Sequence, residues 1–172
     1  DTISGSNFDY ALWDAEQAVT INLEEGWSED GFGTRDTISD VTTIHGSRFG
    51  DTFYGTANYE KFFANGGNNT IDGGGGSDRV SYAPGRGPST DYKITYIDDS
   101  FHVKGKDTLD IIKNVATIEF MDDSKIIEAK YFSSPIKADL SYTAYKFYDS
   151  TIAPEYTYAG VTTEAKLVSW FA

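Results

Sequence analysis

Cut every nine residues from Gly46, the chain falls into four lines that share two columns: GSRFGDTFY, GTANYEKFF, ANGGNNTID and GGGGSDRVS. The sixth place of each line carries an oxygen-bearing side chain, Asp51, Glu60, Asn69 and Asp78. The eighth place is large and apolar, Phe53, Phe62, Ile71 and Val80. Glycines gather in the first four places, among them Gly46, Gly66, Gly74 and Gly76. Tight turns select glycine there because it has no Cβ to oppose positive φ.

A nine-residue line has room for a six-residue turn and a three-residue strand. Side chains alternate across a strand, so the eighth residue alone points inward from it. Two lines complete one coil, and each line stacks on the next but one. The expected fold is therefore all-β, a flattened parallel β-roll or solenoid whose turns form two ladders. Turn carbonyls and sixth-place side chains converge between rungs. Calcium takes about six to eight oxygens at roughly 2.3–2.6 Å, which such a ladder can supply.

The frame extends backwards. GFGTRDTIS (31–39) puts Gly31 and Gly33 in a turn, Asp36 sixth and Ile38 eighth. DVTTIH then separates it from Gly46, which reads as a shortened return with a turn at Val41 to Thr43, and with Ile44 one period before Phe53. One ladder should hold turns 31–36, 46–51 and 64–69, and the other 40–43, 55–60 and 73–78. Asp36 should lie near Asp51, Asp51 near Asn69, and Glu60 near Asp78. The tetrapeptide DTIS occurs at 1–4 and again at 36–39. Asp1 thus reads as the sixth place of a line without its turn, in a chain that begins inside its own roll. Residues 9–23 read as a strand segment in which Val19, Ile21 and Leu23 alternate with polar neighbours.

Charge narrows the partners. The formal net charge is −13, which opposes association with DNA, RNA and anionic membranes and favours a divalent cation. There is no cysteine, so neither disulfides nor thiolate metal sites are available. No apolar run approaches the roughly 20 residues of a membrane-spanning helix. His45 and His102 sit in strand-like segments without a nucleophile motif, and Asp98-Asp99 and Asp122-Asp123 read as solvated turns. No zinc-protease, serine-hydrolase or phosphate-loop motif is present, so the chain reads as non-enzymatic.

GGGGSDRVS (73–81) closely resembles the nonapeptide G-G-x-G-x-D-x-U-x of RTX (repeats-in-toxin) haemolysin-type proteins. Clear nonapeptides span 46–81, and a broader family-like pattern spans roughly 1–128. The resemblance implies a parallel β-roll with calcium between successive turns on the same side. It also implies export from a bacterium by type I secretion and folding in the calcium-rich exterior. Departures reduce the expectation to about one to three calcium sites. Glu60 is one methylene long, Asn69 is neutral, and Gly46-Ser-Arg-Phe and Gly55-Thr-Ala-Asn lack glycines of the repeat. The favoured sites are the ladder with Asp36, Asp51 and Asn69, and Asp78. The alternative is that these turns close without metal, through Asx-type hydrogen bonds.

Three regions follow: a calcium-binding roll (1–81), a β-rich capping segment (82–128) and an aromatic C-terminal segment (129–172). The cap includes a hairpin in which Tyr92, Ile94 and Tyr96 alternate, Asp98-Asp99 turns, and Phe101 and Val103 alternate. KGKDTLDIIKNVATIEFMDDSKI follows and resembles the stretch that closes RTX arrays, with Asp107 read as a turn residue. In the tail, KADLSYTAYKFY and Thr162 to Phe171 have approximate helical spacing, and the aromatics read as packing on the roll. The resemblance places a type I export signal within 120–172.

The expected function is a calcium-binding, calcium-folded module of a secreted or cell-surface protein. Two other readings stay open. One is a surface adhesion, matrix or glycan-binding module, with a cell-surface partner or glycan held by the aromatic tail or an exposed roll face. The other is the non-catalytic C-terminal part of a secreted hydrolase, lyase or epimerase, with another part of the parent protein as partner.

Overall fold

The computed structural model describes residues 1–12, 14–82 and 87–120, together with the strands Lys125–Glu128, Ser141–Ala144 and Tyr156–Ala159. The chain is mostly strand. Among the described residues the only helical turn is a 3-10 turn at Ser89–Asp91.

The repeat sets the strand length. β5 (Thr52–Tyr54), β6 (Lys61–Phe63) and β7 (Thr70–Asp72) are three residues each, and β8 (Arg79–Tyr82) is four. Their inward residues Phe53, Phe62, Ile71 and Val80 have no exposed surface. Alternate lines pair in parallel: Phe53 stands opposite Ile71, and Phe62 opposite Val80. Consecutive lines therefore belong to different ladders. The Phe53 and Phe62 rings nevertheless stack at 6.0 Å. Full burial of such a side chain stabilises a fold by about 1.5–3 kcal/mol.

Both ladders belong to one curled, mixed sheet of thirteen strands. On one arm β2 (Thr20–Asn22) pairs in parallel with β5, with Ile21 opposite Phe53. On the other, β4 (Arg35–His45) pairs with β6, with Ile44 opposite Phe62. β11 (Leu109–Lys113) stacks on β7, and β12 (Thr117–Phe120) on β8. Antiparallel strands finish the arms: β10 (Ser100–Lys104) and β9 (Lys93–Ile97) beyond β11, and β13 (Lys125–Glu128) beyond β12. The β9–β10 hairpin turns through Asp98 and Asp99, both at positive φ, as tight hairpins require.

Three expectations fail here. Val41 to Thr43 is not a turn, because β4 runs unbroken from Arg35 to His45. A six-residue spacer cannot hold both a six-residue turn and a strand. The chain stays extended, and only Asp40 is left-handed, at φ 59°. The alternation breaks at Asp40 and again across Thr42-Thr43, so that Ile38, Val41 and Ile44 are all buried.

Asp36 does not neighbour Asp51. The segment EEGWSEDGFGTR supplies β3 (Trp27–Glu29), which pairs back on β2 and forward on β4. Strands β3 and β2 thus stand between β4 and β5 in the sheet. The two copies of DTIS lie side by side instead. β1 (Thr2–Ala11) runs parallel to β4, with Thr2, Ile3 and Ser4 opposite Thr37, Ile38 and Ser39.

The helix expected over KADLSYTAYKFY gives way, at its described residues, to β14 (Ser141–Ala144), paired antiparallel with β15 (Tyr156–Ala159). Tyr and Thr, which fill most of the two segments taken together, favour strands over helices. The helix expected from Thr162 to Phe171 lies outside the described residues. Among the described residues no helix is long and apolar enough to cross a membrane.

Phe53→Ala should cost about 3–5 kcal/mol of stability, because the cavity opens between both ladders. The neighbouring Tyr54 is 39% exposed, and Tyr54→Ala should change stability by no more than about 0.5 kcal/mol. Urea denaturation of the two variants checks the difference.

Candidate functional site

The sixth-place side chains are withdrawn from water. Asp51, Glu60, Asn69 and Asp78 are each no more than 2% exposed. Burial of an acid is costly unless its oxygens are bonded. Each of these residues is used to tie one line to another.

One oxygen of Asp51, Asn69 and Asp78 accepts a backbone N–H from the preceding rung, whereas the Glu60 carboxylate is held within its own line and Glu60 reaches the next rung through its N–H. Asn69 Oδ1 accepts from the Asp51 N–H at 2.9 Å, and Asp78 Oδ1 from the Glu60 N–H at 2.8 Å. Asp51 Oδ1 accepts from the Val19 N–H at 3.0 Å. The Asn69 N–H in turn donates to Asp110 Oδ1 at 2.8 Å. A continuous run therefore joins Val19, Asp51, Asn69 and Asp110. Asn69 suits the middle of that run because it accepts with Oδ1 and donates with Nδ2, also to Asp110 Oδ1 at 2.8 Å. A carboxylate there would meet Asp110 as a like charge.

The second place of the line decides what happens to the rest of the acid. Ser47 donates its N–H to Asp51 Oδ2 at 2.7 Å and its hydroxyl to Oδ1 at 2.6 Å. Thr56 repeats the wiring on Glu60, N–H to Oε2 at 3.0 Å and hydroxyl to Oε1 at 2.5 Å. The same hydroxyls accept the N–H groups of Phe49 and Asn58, both at 3.0 Å, and so close their turns. The non-glycine second places thus supply the acid's partner. Asp110 Oδ2 is satisfied from elsewhere, by the Tyr82 hydroxyl at 2.7 Å.

Asp78 is the exception. Its line has Gly74 in the second place and therefore no hydroxyl. Asp78 Oδ2 is fully buried and has no hydrogen-bond partner. It lies against Gly73, where an added Cβ would come within 2.6 Å of it. Burial pushes the Asp78 carboxyl up to about 7, with the nearby Glu60 carboxylate adding to the rise and the Glu60 N–H opposing it. Asp51 is also raised by burial, against the pull of its Ser47 and Val19 bonds.

The glycines divide by role. Gly31, Gly33, Gly74 and Gly76 adopt positive φ, whereas Gly46 and Gly66 do not. Gly76 is doubly constrained, since at φ 86° a Cβ would also run into the Asn58 carbonyl. Turn 73–78 thus rests directly on turn 55–60. Gly46 lies over the Asp51 carboxylate, and Gly66 over the Arg48 backbone. Gly31 and Gly33 belong to a separate turn closed by Asp30, which accepts the Phe32 N–H and the Thr34 hydroxyl, both at 2.8 Å. Asp36 sits in β4 opposite Ser28, and its Oδ1 accepts the Asp1 ammonium at 2.6 Å.

The structure therefore brings together Asp51 with Asn69 and Glu60 with Asp78, and leaves Asp36 apart. Asp110, Ser47, Thr56 and Tyr82 were not anticipated. Asp110 shares one signal with the repeat, an apolar residue two places on, Ile112. The inserted β9–β10 hairpin takes it out of the nine-residue frame. Among the described residues no three His, Cys, Asp or Glu side chains converge. No family model and no curated protein matches the chain.

An acid whose folded pKa exceeds its unfolded value binds its proton more tightly when folded. Asp78 thus contributes stability at low pH that is lost as pH rises from near 4 towards about 7. In EGTA the melting temperature should fall across that window, and Asp78→Asn should flatten the fall; thermal melts at stepped pH check it. Ser47→Ala should cost about 1–3 kcal/mol, because it removes the Asp51 hydroxyl bond inside the fold. Urea denaturation measures the loss.

Proposed function

We propose that this chain is a calcium-binding β-roll module of a secreted or cell-surface bacterial protein of the RTX type, stabilised by calcium after export. The parallel pairing of alternate nine-residue lines supports this reading. The observation that carries it is the buried, unpartnered Asp78 Oδ2 in the one turn that keeps the glycines of the repeat.

The residues at that turn fit a hard cation. A neighbouring calcium would favour the ionised carboxylate that burial opposes. Asp78 would hold the ion with backbone carbonyls of the stacked turns 55–60 and 73–78. Oxygen ligands of this kind are what calcium selects. Elsewhere the sixth-place oxygens have partners in the protein: Asp51 with Ser47 and Val19, Glu60 with Thr56, and Asn69 with Asp51. Those turns close by hydrogen bonds. The calcium expectation therefore narrows from both ladders to Asp78 and the backbone carbonyls of turns 55–60 and 73–78.

The effect is linkage. A ligand that binds only the folded state stabilises it by about 2.7 kcal/mol when present at about 100 times its Kd. With a net charge of −13, a bound divalent ion also relieves self-repulsion.

Thermal melts of the whole chain in calcium and in EGTA test the proposal. Calcium should raise the melting temperature. Asp78→Asn should remove that rise while the chain still folds, and Asp36→Asn should keep it. Identical circular dichroism and melting temperature in calcium and EGTA would sink the proposal.

A further inference from the structure

The shortened return leaves a space. Turn 73–78 stacks on turn 55–60, but on the other side of 55–60 the chain passes as the extended part of β4 and not as another turn. A half-open cleft of about 610 Å³ lies between them. That volume is within the roughly 300–1,000 Å³ typical of small-molecule sites.

Its lining has a definite chemistry. Leu23 and Val41 give an aliphatic floor. Tyr59 adds a ring that is 48% exposed. Ser39 and Thr42 bring hydroxyls, and Asn58 brings an amide. Asp40 is presented by the left-handed kink of β4. The described lining residues include two carboxylates, Asp40 and Glu60, and no Lys, Arg or His.

We propose that this cleft binds an uncharged saccharide unit. A sugar ring has a C–H face that packs on an aromatic ring or aliphatic floor, and a hydroxyl rim that needs mixed donors and acceptors. The cleft offers both. Asp40 and Glu60 disfavour anionic ligands, uronic acids and phosphosugars included, while neither draws a cationic sugar strongly, because Thr56 holds both Glu60 oxygens and Asp40 is exposed to screening water. The cleft and Asp78 lie on opposite sides of turn 55–60 in the strand order; Glu60 adjoins both, through its N–H to Asp78 and with its carboxylate held by Thr56.

The test uses the whole chain, in calcium, against immobilised neutral hexose oligosaccharides, uronic-acid oligosaccharides and cationic glucosamine oligomers. Affinities for any oligosaccharide retained are then measured by isothermal titration. A neutral oligosaccharide should be retained in preference to the other two. Tyr59→Ala, at an exposed position, should weaken binding about tenfold, and Tyr59→Phe should restore most of it. Retention of no neutral oligosaccharide, preference for either charged series, or undiminished binding by Tyr59→Ala overturns the proposal. Sugar binding by a chain whose melting temperature ignores calcium would uphold the cleft while sinking the metal reading.

Discussion

The structure depends on one bond repeated along it, from a backbone N–H of one line to the sixth-place side-chain oxygen of a later one. Three-residue strands offer few ladder hydrogen bonds, and the turns between them bring peptide groups inside. A buried N–H without a partner costs about as much as a lost hydrogen bond. Asp51, Asn69, Asp78 and Asp110 provide those partners at 2.8–3.0 Å. Without them the stacked strands would keep only their short backbone ladders and apolar contacts, and the turns would lose the bonds that fix their register.

That bond makes the neighbouring residues comprehensible. A carboxylate that gives one oxygen to the next rung must satisfy the other. Ser47 and Thr56 do this from the second place of their own lines, and Tyr82 does it for Asp110 from another strand. Where the second place is Gly74, nothing does, and Asp78 favours its protonated form. A line with serine or threonine in its second place closes on its own acid, whereas the line with Gly74 leaves a buried acid oxygen without a hydrogen-bond partner.

The eighth-place residues Ile44, Phe53, Phe62, Ile71 and Val80 were legible because their period is regular and their burial leaves little choice of residue. The partners of Asp51 were only half legible. Asn69 stands in frame, but Val19 reaches Asp51 only because β2 and β3 fold between β4 and β5. Nothing in the spacing of EEGWSEDGFGTR distinguishes a strand that pairs back from a loop. Asp110 was hidden in a different way. Its pairing on β7 crosses an inserted hairpin, so its distance from Asn69 is 41 residues and not 18.

By itself the sequence determined the period, the inward column, the acidic column and the pairing of alternate lines, since these follow from side-chain alternation and a fixed repeat. The hairpin at Asp98-Asp99 belongs with them, because local turn chemistry suffices for it. Tertiary structure decided which acids are satisfied, because that depends on hydroxyls arriving from other lines and strands. It also decided the course of residues 40–43. A spacer too short for a turn must stay extended, and the cleft beside Tyr59 is the space left by the missing turn.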